Sequence, residues 1–218
     1  KIGAPLKLIG RDFKVEPNVT SWTYRASQYS IERMPMPALI GDFQLNNAAC
    51  VLTAIQSLQH LLPVQVDAIE TGLKTVKLAG RFQSWSNNPD IILDVAHNPH
   101  AAKSLAINLK QSRHQGKTIA VFAMLADKDI TGVIQALSGE IDAWYVATID
   151  NVRGASASSL SKIIIDTLPS AEIKIFNQVV DAFHQACIDA NENDRIITLG
   201  SFFTVAEVMQ DLQTKKTK

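Results

Sequence analysis

Residues 91–100 read Ile91-Ile92-Leu93-Asp94-Val95-Ala96-His97-Asn98-Pro99-His100, a short apolar run that passes through an acid into an imidazole, an amide and a proline. A continuous apolar run of this length reads as a strand buried on both faces. Pro99 suits the first position of a helix, where its missing N–H costs nothing, and Asn98 before it is placed to cap that helix. The segment is thus a strand turning directly into a helix.

The same rhythm repeats downstream. Thr118–Ala123 precedes a helical stretch from Ile130 to Leu137, and Ala143–Ala147 precedes one around Ser158–Thr167. Glu172–Phe176 precedes Val179–Asn191, and Arg195–Leu199 precedes Phe202–Leu212. Five strand–helix repeats of this kind predict a doubly wound α/β domain with a mostly parallel sheet and right-handed crossovers. Upstream the pattern differs. Leu6–Val15 and Ser21–Arg25 read as extended pieces, Met34-Pro35-Met36-Pro37 as their end, and Asn47–Leu62 and Val64–Thr75 as helices. Gly80–Gln83 and Ser86–Pro89 read as a connection, so a domain boundary is expected between residues 83 and 84. The tail Thr214–Lys218 is expected to fray.

In a doubly wound sheet, ligands bind beyond the carboxyl ends of the strands. Three such ends carry chemistry. The first holds Asp94, His97 and Asn98, with free helix N–H groups that favour an anion. The second is Met124-Leu125-Ala126-Asp127-Lys128-Asp129, where Lys128 can reach a phosphate or carboxylate and Asp129 can cap a helix. The third is Leu199-Gly200-Ser201-Phe202, where glycine permits close backbone approach and the serine hydroxyl adds a donor. The residues alone leave open that these are caps and solvated turns.

Other patterns are excluded. Gly116-Lys117-Thr118 resembles the end of a phosphate loop, but Gln111 stands where the upstream glycine belongs, and the tripeptide opens a strand. His97 and His100 have no third ligand in view, so no metal site is assigned. No G-x-G-x-x-G follows a strand, which argues against a nicotinamide domain. The 218 residues carry 21 basic and 21 acidic side chains, so nothing advertises nucleic acid or an anionic membrane as a partner. The two cysteines, Cys50 and Cys187, sit among small and apolar neighbours and read as buried thiols in a reducing, cytoplasmic compartment. No run reaches the roughly 18 apolar residues of a membrane span.

Several segments, in order, resemble the dihydrofolate synthase/folylpolyglutamate synthase family, a branch of the Mur ligases. Asp94–Pro99 is similar to its D-x-A-H-N-P signature, and Gln44-Leu45-Asn46-Asn47-Ala48 to its Q-x-x-N-A segment. Gly80-Arg81-Phe82-Gln83 is similar to G-R-F-Q, Met124–Asp129 to M-L-x-D-K-D, and Gly200–Val205 to G-S-F-x-T-V. The full Asp94–Ala101 run looks most like the bifunctional bacterial members.

The resemblance implies a Rossmann-like Mur ligase C-terminal domain over residues 84–218. Residues 1–83 would be the C-terminal part of the P-loop, ATP-binding central domain. It implies an ATP- and Mg²⁺-dependent ligase that adds L-glutamate to dihydropteroate or to the glutamyl tail of folates, through an acyl phosphate. Asn47, Arg81 and Asp94 then resemble nucleotide contacts, His97 and Asp94 catalytic residues, and His97 and Ser201 glutamate contacts. Asp94 would accept ribose hydrogen bonds or orient His97. No G-x-x-G-K-[ST] segment is present and the first residue is not methionine, so a fragment, inactive alone, is expected. The Mg²⁺ ligands would lie upstream, and the enzyme would be a monomer in the cytoplasm. A cell-wall amino-acid ligase and a non-catalytic binding module are the alternatives.

Overall fold

The computed structural model describes residues 3–41, 43–112 and 115–216, which form two compact units, Lys1–Leu78 and Ala79–Lys218. This division falls before the boundary expected after Gln83. The reason is local: Gly80 accepts a 2.8 Å bond from the Val95 amide, Phe82 is buried in the second unit's core, and Gln83 pairs with Leu93.

The first unit is a three-stranded antiparallel meander with two helices. Its strands are β1 (Phe13–Pro17), β2 (Ser21–Ala26) and β3 (Tyr29–Pro35), and its helices are α1 (Phe43–Leu58) and α2 (Val66–Thr75). Trp22, Tyr24, Met34, Ala49 and Leu52 form its core. The extended run expected from Leu6 begins only at Phe13. Residues 8–12 are a turn, closed by Asp12 N–H to Leu8 O at 2.8 Å and by Leu8 N–H to the Asp12 carboxylate at 2.7 Å. α1 starts four residues before the expected Asn47 and stops at Leu58, with Leu61 and Leu62 exposed beyond it. The α1 face that turns inward carries Ala48, Ala49, Leu52 and Thr53. Cys50 lies off that face and is exposed, and Cys187 is only half-buried, so neither is the fully buried thiol expected.

The second unit holds a six-stranded sheet of β4 (Gln83–Asn87), β5 (Asp90–Leu93), β6 (Thr118–Phe122), β7 (Ala143–Ala147), β8 (Glu172–Phe176) and β9 (Arg195–Leu199). The order is β4-β5-β9-β6-β7-β8, parallel throughout except for β4. α3 (Pro99–Gln111), α4 (Ile130–Leu137) and α5 (Ala157–Thr167) cover one face, around Leu105, Ile134, Leu160, Phe122 and Trp144. α6 (Val179–Asp189) and α7 (Phe202–Lys216) cover the other, around Phe183, Val205, Leu93 and Val121. This is the doubly wound, mostly parallel sheet the apolar runs predict. β6, β7 and β9 are buried at every residue, as central strands must be.

The edges differ from that expectation. β8 exposes residues on both faces because it lies at one edge. β4 was read as connection. Its sequence Gln83-Ser84-Trp85-Ser86-Asn87 is polar, and only the ladder with β5 makes it a strand. The tail is ordered further than expected. α7 runs to Lys216, with the Thr214 hydroxyl bonded to Gln210 O, while Thr217 and Lys218 lie outside the described residues.

Gly116-Lys117-Thr118 opens β6 at the amino end of the sheet, away from the ligand-binding tips. There the Lys117 amide donates to Asp194, and a Cβ on Gly116 would collide with the same carboxylate. Arg195, buried beside it, donates to Leu109 O, Ser112 Oγ and Thr118 Oγ1 and braces that end. No described helix is long and apolar enough to cross a membrane.

Candidate active site

Four neighbouring strands, β5, β9, β6 and β7, end on the same side of the sheet, and a cleft of about 190 Å³ opens over their tips. His97 enters it from β5, Lys128 from β6, Arg153 from β7, and Gly200, Ser201 and Phe202 from β9. The strand order inserts β9 between β5 and β6, and helices change faces between α5 and α6. This is the kind of switch point at which open α/β sheets bind ligands.

Asp94 is the anchor beneath this rim. It is 8% exposed. One carboxylate oxygen accepts the Phe82 amide at 2.8 Å, the other the Ala96 amide at 2.8 Å. Burial raises its pKa above the usual carboxylate value, against the lowering effect of the two amides and of nearby Arg81. Asp94 therefore stitches the Gly80–Phe82 turn to the strand end. It does not orient His97 directly: the imidazole Nδ1 lies 2.8 Å from Val95 O. A carbonyl only accepts, so Nδ1 carries the proton and, in the neutral ring, Nε2 keeps its lone pair. The Phe202 ring lies 5.9 Å from that of His97.

The turn that carries Arg81 is strained. Gly80 has φ +66° and Phe82 has φ +44°, a left-handed conformation rarely adopted by a bulky residue. Burial of the Phe82 ring and its amide bond to Asp94 hold it there. Arg81 between them is exposed, its side chain left in solvent.

The helix starts at the rim are capped as the sequence suggests. Asn98 accepts from Ala101 N–H at 2.9 Å with Pro99 first in the helix, and Asp129 accepts from Gly132 N–H at 2.9 Å. Ser201 Oγ accepts the Phe203 amide at 3.1 Å and is buried. Gly200 at φ +107° passes so close to Ala123 O and Met124 that no Cβ fits. The Thr204 hydroxyl donates to the same Ala123 oxygen at 2.8 Å and locks the turn.

The structure thus brings together His97, Ser201 and Lys128 in one cleft, with Arg81 and Asp94 joined in the adjoining turn. Asn47 belongs to the first unit, on α1, exposed and donating to Gln44 Oε1 at 3.0 Å. Arg153 was missed. It sits six residues beyond the last residue of β7, in Asp150-Asn151-Val152-Arg153-Gly154, where the rule that ligands gather at strand ends also points.

A larger depression of about 540 Å³ lies in the first unit, lined by Lys7, Arg11, Lys14 and Arg25 among others. Its Arg11 is paired with Asp12 and its Arg25 with Glu16, as Lys128 and Arg153 of the smaller cleft are with Asp127, so ion pairing does not separate the two. It lacks a helix N-terminus with a free general base, so the chemistry points to the smaller cleft. Among the described residues no group of three His, Cys, Asp or Glu side chains is set to hold a metal ion.

The family described as Mur ligase, glutamate ligase domain matches residues 80–202. The dihydrofolate synthase/folylpolyglutamate synthase of Escherichia coli K12 is 35% identical over 214 residues, covering 98% of this chain and 48% of its own length. The structure of E. coli FolC with ADP superposes with a TM-score of 0.87 at 34% identity, covering 99% of this chain and 50% of that one. A bifunctional folylpolyglutamate synthase/dihydrofolate synthase with Mn, AMPPNP and L-glutamate bound gives 0.82 at 39% identity, covering 97% and 48%. The chain spans about half the length of the curated relatives it matches.

Proposed function

The chain belongs to the Mur ligase family, by its glutamate ligase domain, and from that premise we propose that it is the glutamate-handling half of an ATP-dependent amide ligase. The acceptor is dihydropteroate, or the glutamyl tail of a folate. Its carboxylate takes the γ-phosphate of ATP to form an acyl phosphate. The amine of L-glutamate then displaces phosphate, leaving an amide, ADP and phosphate.

The observation that carries this reading is the convergence of one free imidazole nitrogen and two cations in one cleft over the strand tips. L-Glutamate brings two carboxylates and an amine that must shed a proton before it attacks. Lys128 and Arg153 answer the charge, aided by the helix N-termini at Asn98 and Ser201. His97 Nε2 is the proton acceptor, held in the useful tautomer by Val95 O. Arg81, projected by its strained turn, meets phosphate charge, and Asp94 acts as the positioning residue beneath it. Asn47 on α1 contacts the nucleotide.

The described residues hold no cluster of three His, Cys, Asp or Glu side chains, and no step here is routed through magnesium. Its ligands and the triphosphate cradle are assigned to the remaining half of a relative-length enzyme. The compact unit 1–78 is then part of the ATP-binding domain, and the protein works as a cytoplasmic monomer.

The test is a chimera in which this chain replaces the matching half of the E. coli relative. It should incorporate labelled L-glutamate only with ATP, dihydropteroate or folate, and Mg²⁺. His97→Ala should cut kcat by roughly 100-fold or more. Unchanged turnover in that variant would refute the role of His97, and ligation by the isolated 218-residue chain would refute the division of labour.

A further inference from the structure

Helix α1 differs in composition from the other long helices of the chain. Its 16 residues, Phe43–Leu58, include no Asp, Glu, Lys, Arg or His. The other described helices of ten residues or more all carry charged side chains, such as Glu70 and Lys74 on α2 or Lys103 and Lys110 on α3. A helix packed on one side only shows charge on the other, where water solvates it. α1 does not. One of its faces buries Ala48, Ala49 and Leu52 in the first unit's core. The opposite face presents Phe43, Cys50, Val51, Ala54 and Leu58, with Val51 56% and Leu58 46% exposed. Two asparagines and a serine complete that face, all neutral. A helix with no charged side has the composition of one covered all round.

Cys50, Ala54 and Leu58 follow one another at intervals of four, so they form a single stripe. Small side chains at Cys50 and Ala54 keep its middle low, so another backbone can approach closely. Beside the stripe runs a groove of about 290 Å³, lined by Val51 and Ile55 of α1, Ala68 and Leu73 of α2, and Leu39 and Val64. Scattered exposed apolar residues are ordinary, whereas a stripe with an apolar groove beside it marks an interaction surface. The second unit has no such want of cover, since its own helices pack on both faces of its sheet. The chain spans 48% of the length of its E. coli relative, so about half of a relative-length enzyme is available to cover α1.

We propose that the uncharged face of α1 is a docking seam for the remaining half of a relative-length enzyme. An apolar face of that half closes over Cys50, Val51 and Ala54 and turns α1 into an internal helix. The inference rests on the reading of unit 1–78 as part of the ATP-binding domain, and goes beyond it by naming the surface through which the two halves join.

The test compares the isolated 218-residue chain with the chimera described above. Both are treated with a thiol reagent, and modification of the Cys50 and Cys187 peptides is followed by mass spectrometry. Cys50 should react more slowly in the chimera by about 100-fold or more, the protection of a group reached only through local opening. The Cys187 rate should change little. Ala54→Glu should move the Tm of the isolated chain by no more than about 2 °C, as surface substitutions do. In the chimera the same change buries a charge in an apolar seam and should lower Tm by about 5 °C or more. Ile188→Glu, at an exposed site on α6, is the control and should be silent in both proteins.

Equal Cys50 rates in the two proteins would overturn the inference, and if that chimera still ligates glutamate the functional reading survives it. A chimera with Cys50 protected and no glutamate incorporated supports the seam and counts against the reading. If the isolated chain sediments as a dimer with Cys50 already protected, and Ala54→Glu makes it a monomer, the face belongs to a second copy and the proposal fails. A chimera that does not fold, with no complex when the two halves are co-expressed as separate chains, overturns it as well.

Discussion

Asp94 shows how much one buried side chain can organise. Both of its oxygens accept backbone amides, one from the Arg81 turn and one from the strand end that leads to His97. Asparagine there would face one amide donor with its own NH₂ group. Asp94→Asn should therefore cost about 1–3 kcal/mol, the range for an unsatisfied buried group, read by urea unfolding. In the chimera it should also raise the KM for ATP, because Arg81 loses its platform. The cysteines test burial more simply. Cys50 is exposed, while burial pushes the half-buried Cys187 thiol above its usual pKa. A thiol reagent at pH 8 should label Cys50 quickly and Cys187 slowly, and equal rates would contradict the structure.

At the scale of elements, strand β8 is the informative one. It lies at the edge of the sheet, and its tie to α6 is electrostatic as well as apolar. Lys174 on β8 bonds Asp189 on α6 at 2.7 Å, and Tyr145 on β7 donates to the same oxygen at 2.6 Å. Those bonds depress the Asp189 carboxyl to about 2. A depressed carboxylate stabilises the fold fully above its ordinary unfolded value of about 4 and loses that contribution as pH falls through its folded value. The Tm difference between wild type and Asp189→Asn should hence be constant from neutrality to about pH 4, then shrink toward pH 2. High salt should reduce it, since Lys174 is partly solvated. A difference that grows on acidification would reverse the sign and refute the account.

For the molecule as a whole, two compact units with separate cores sit on one chain. The residues joining α2 to the second unit, Val76-Lys77-Leu78, are in no helix or strand, and Lys77 is exposed. Brief trypsin treatment should cut after Lys77. The released second unit should keep a cooperative thermal transition, because its sheet is covered on both faces by its own helices. Loss of that transition would show that the second unit needs the first.

Much of this was legible without coordinates. The buried strands β5, β6, β7 and β9 announce themselves as continuous apolar runs, since a strand covered on both faces has no polar side to show. Asn98 and Asp129 announce their helices by cap chemistry that is local in sequence. Edge strands carry no such mark. Polar β4 becomes a strand only through its ladder with β5, a contact that composition does not encode. For Asp94 the sequence records a residue type and not the two amides that fold back onto its oxygens. Arg153 and Asp127 lie 26 residues apart, and only the parallel pairing of β6 with β7 brings their loops together. Sequence by itself determined the alternation of buried strand and capped helix, a matter of local burial and hydrogen bonding. Tertiary structure alone decided which strand tips face one another, because that depends on strand order, and strand order is set by long-range packing.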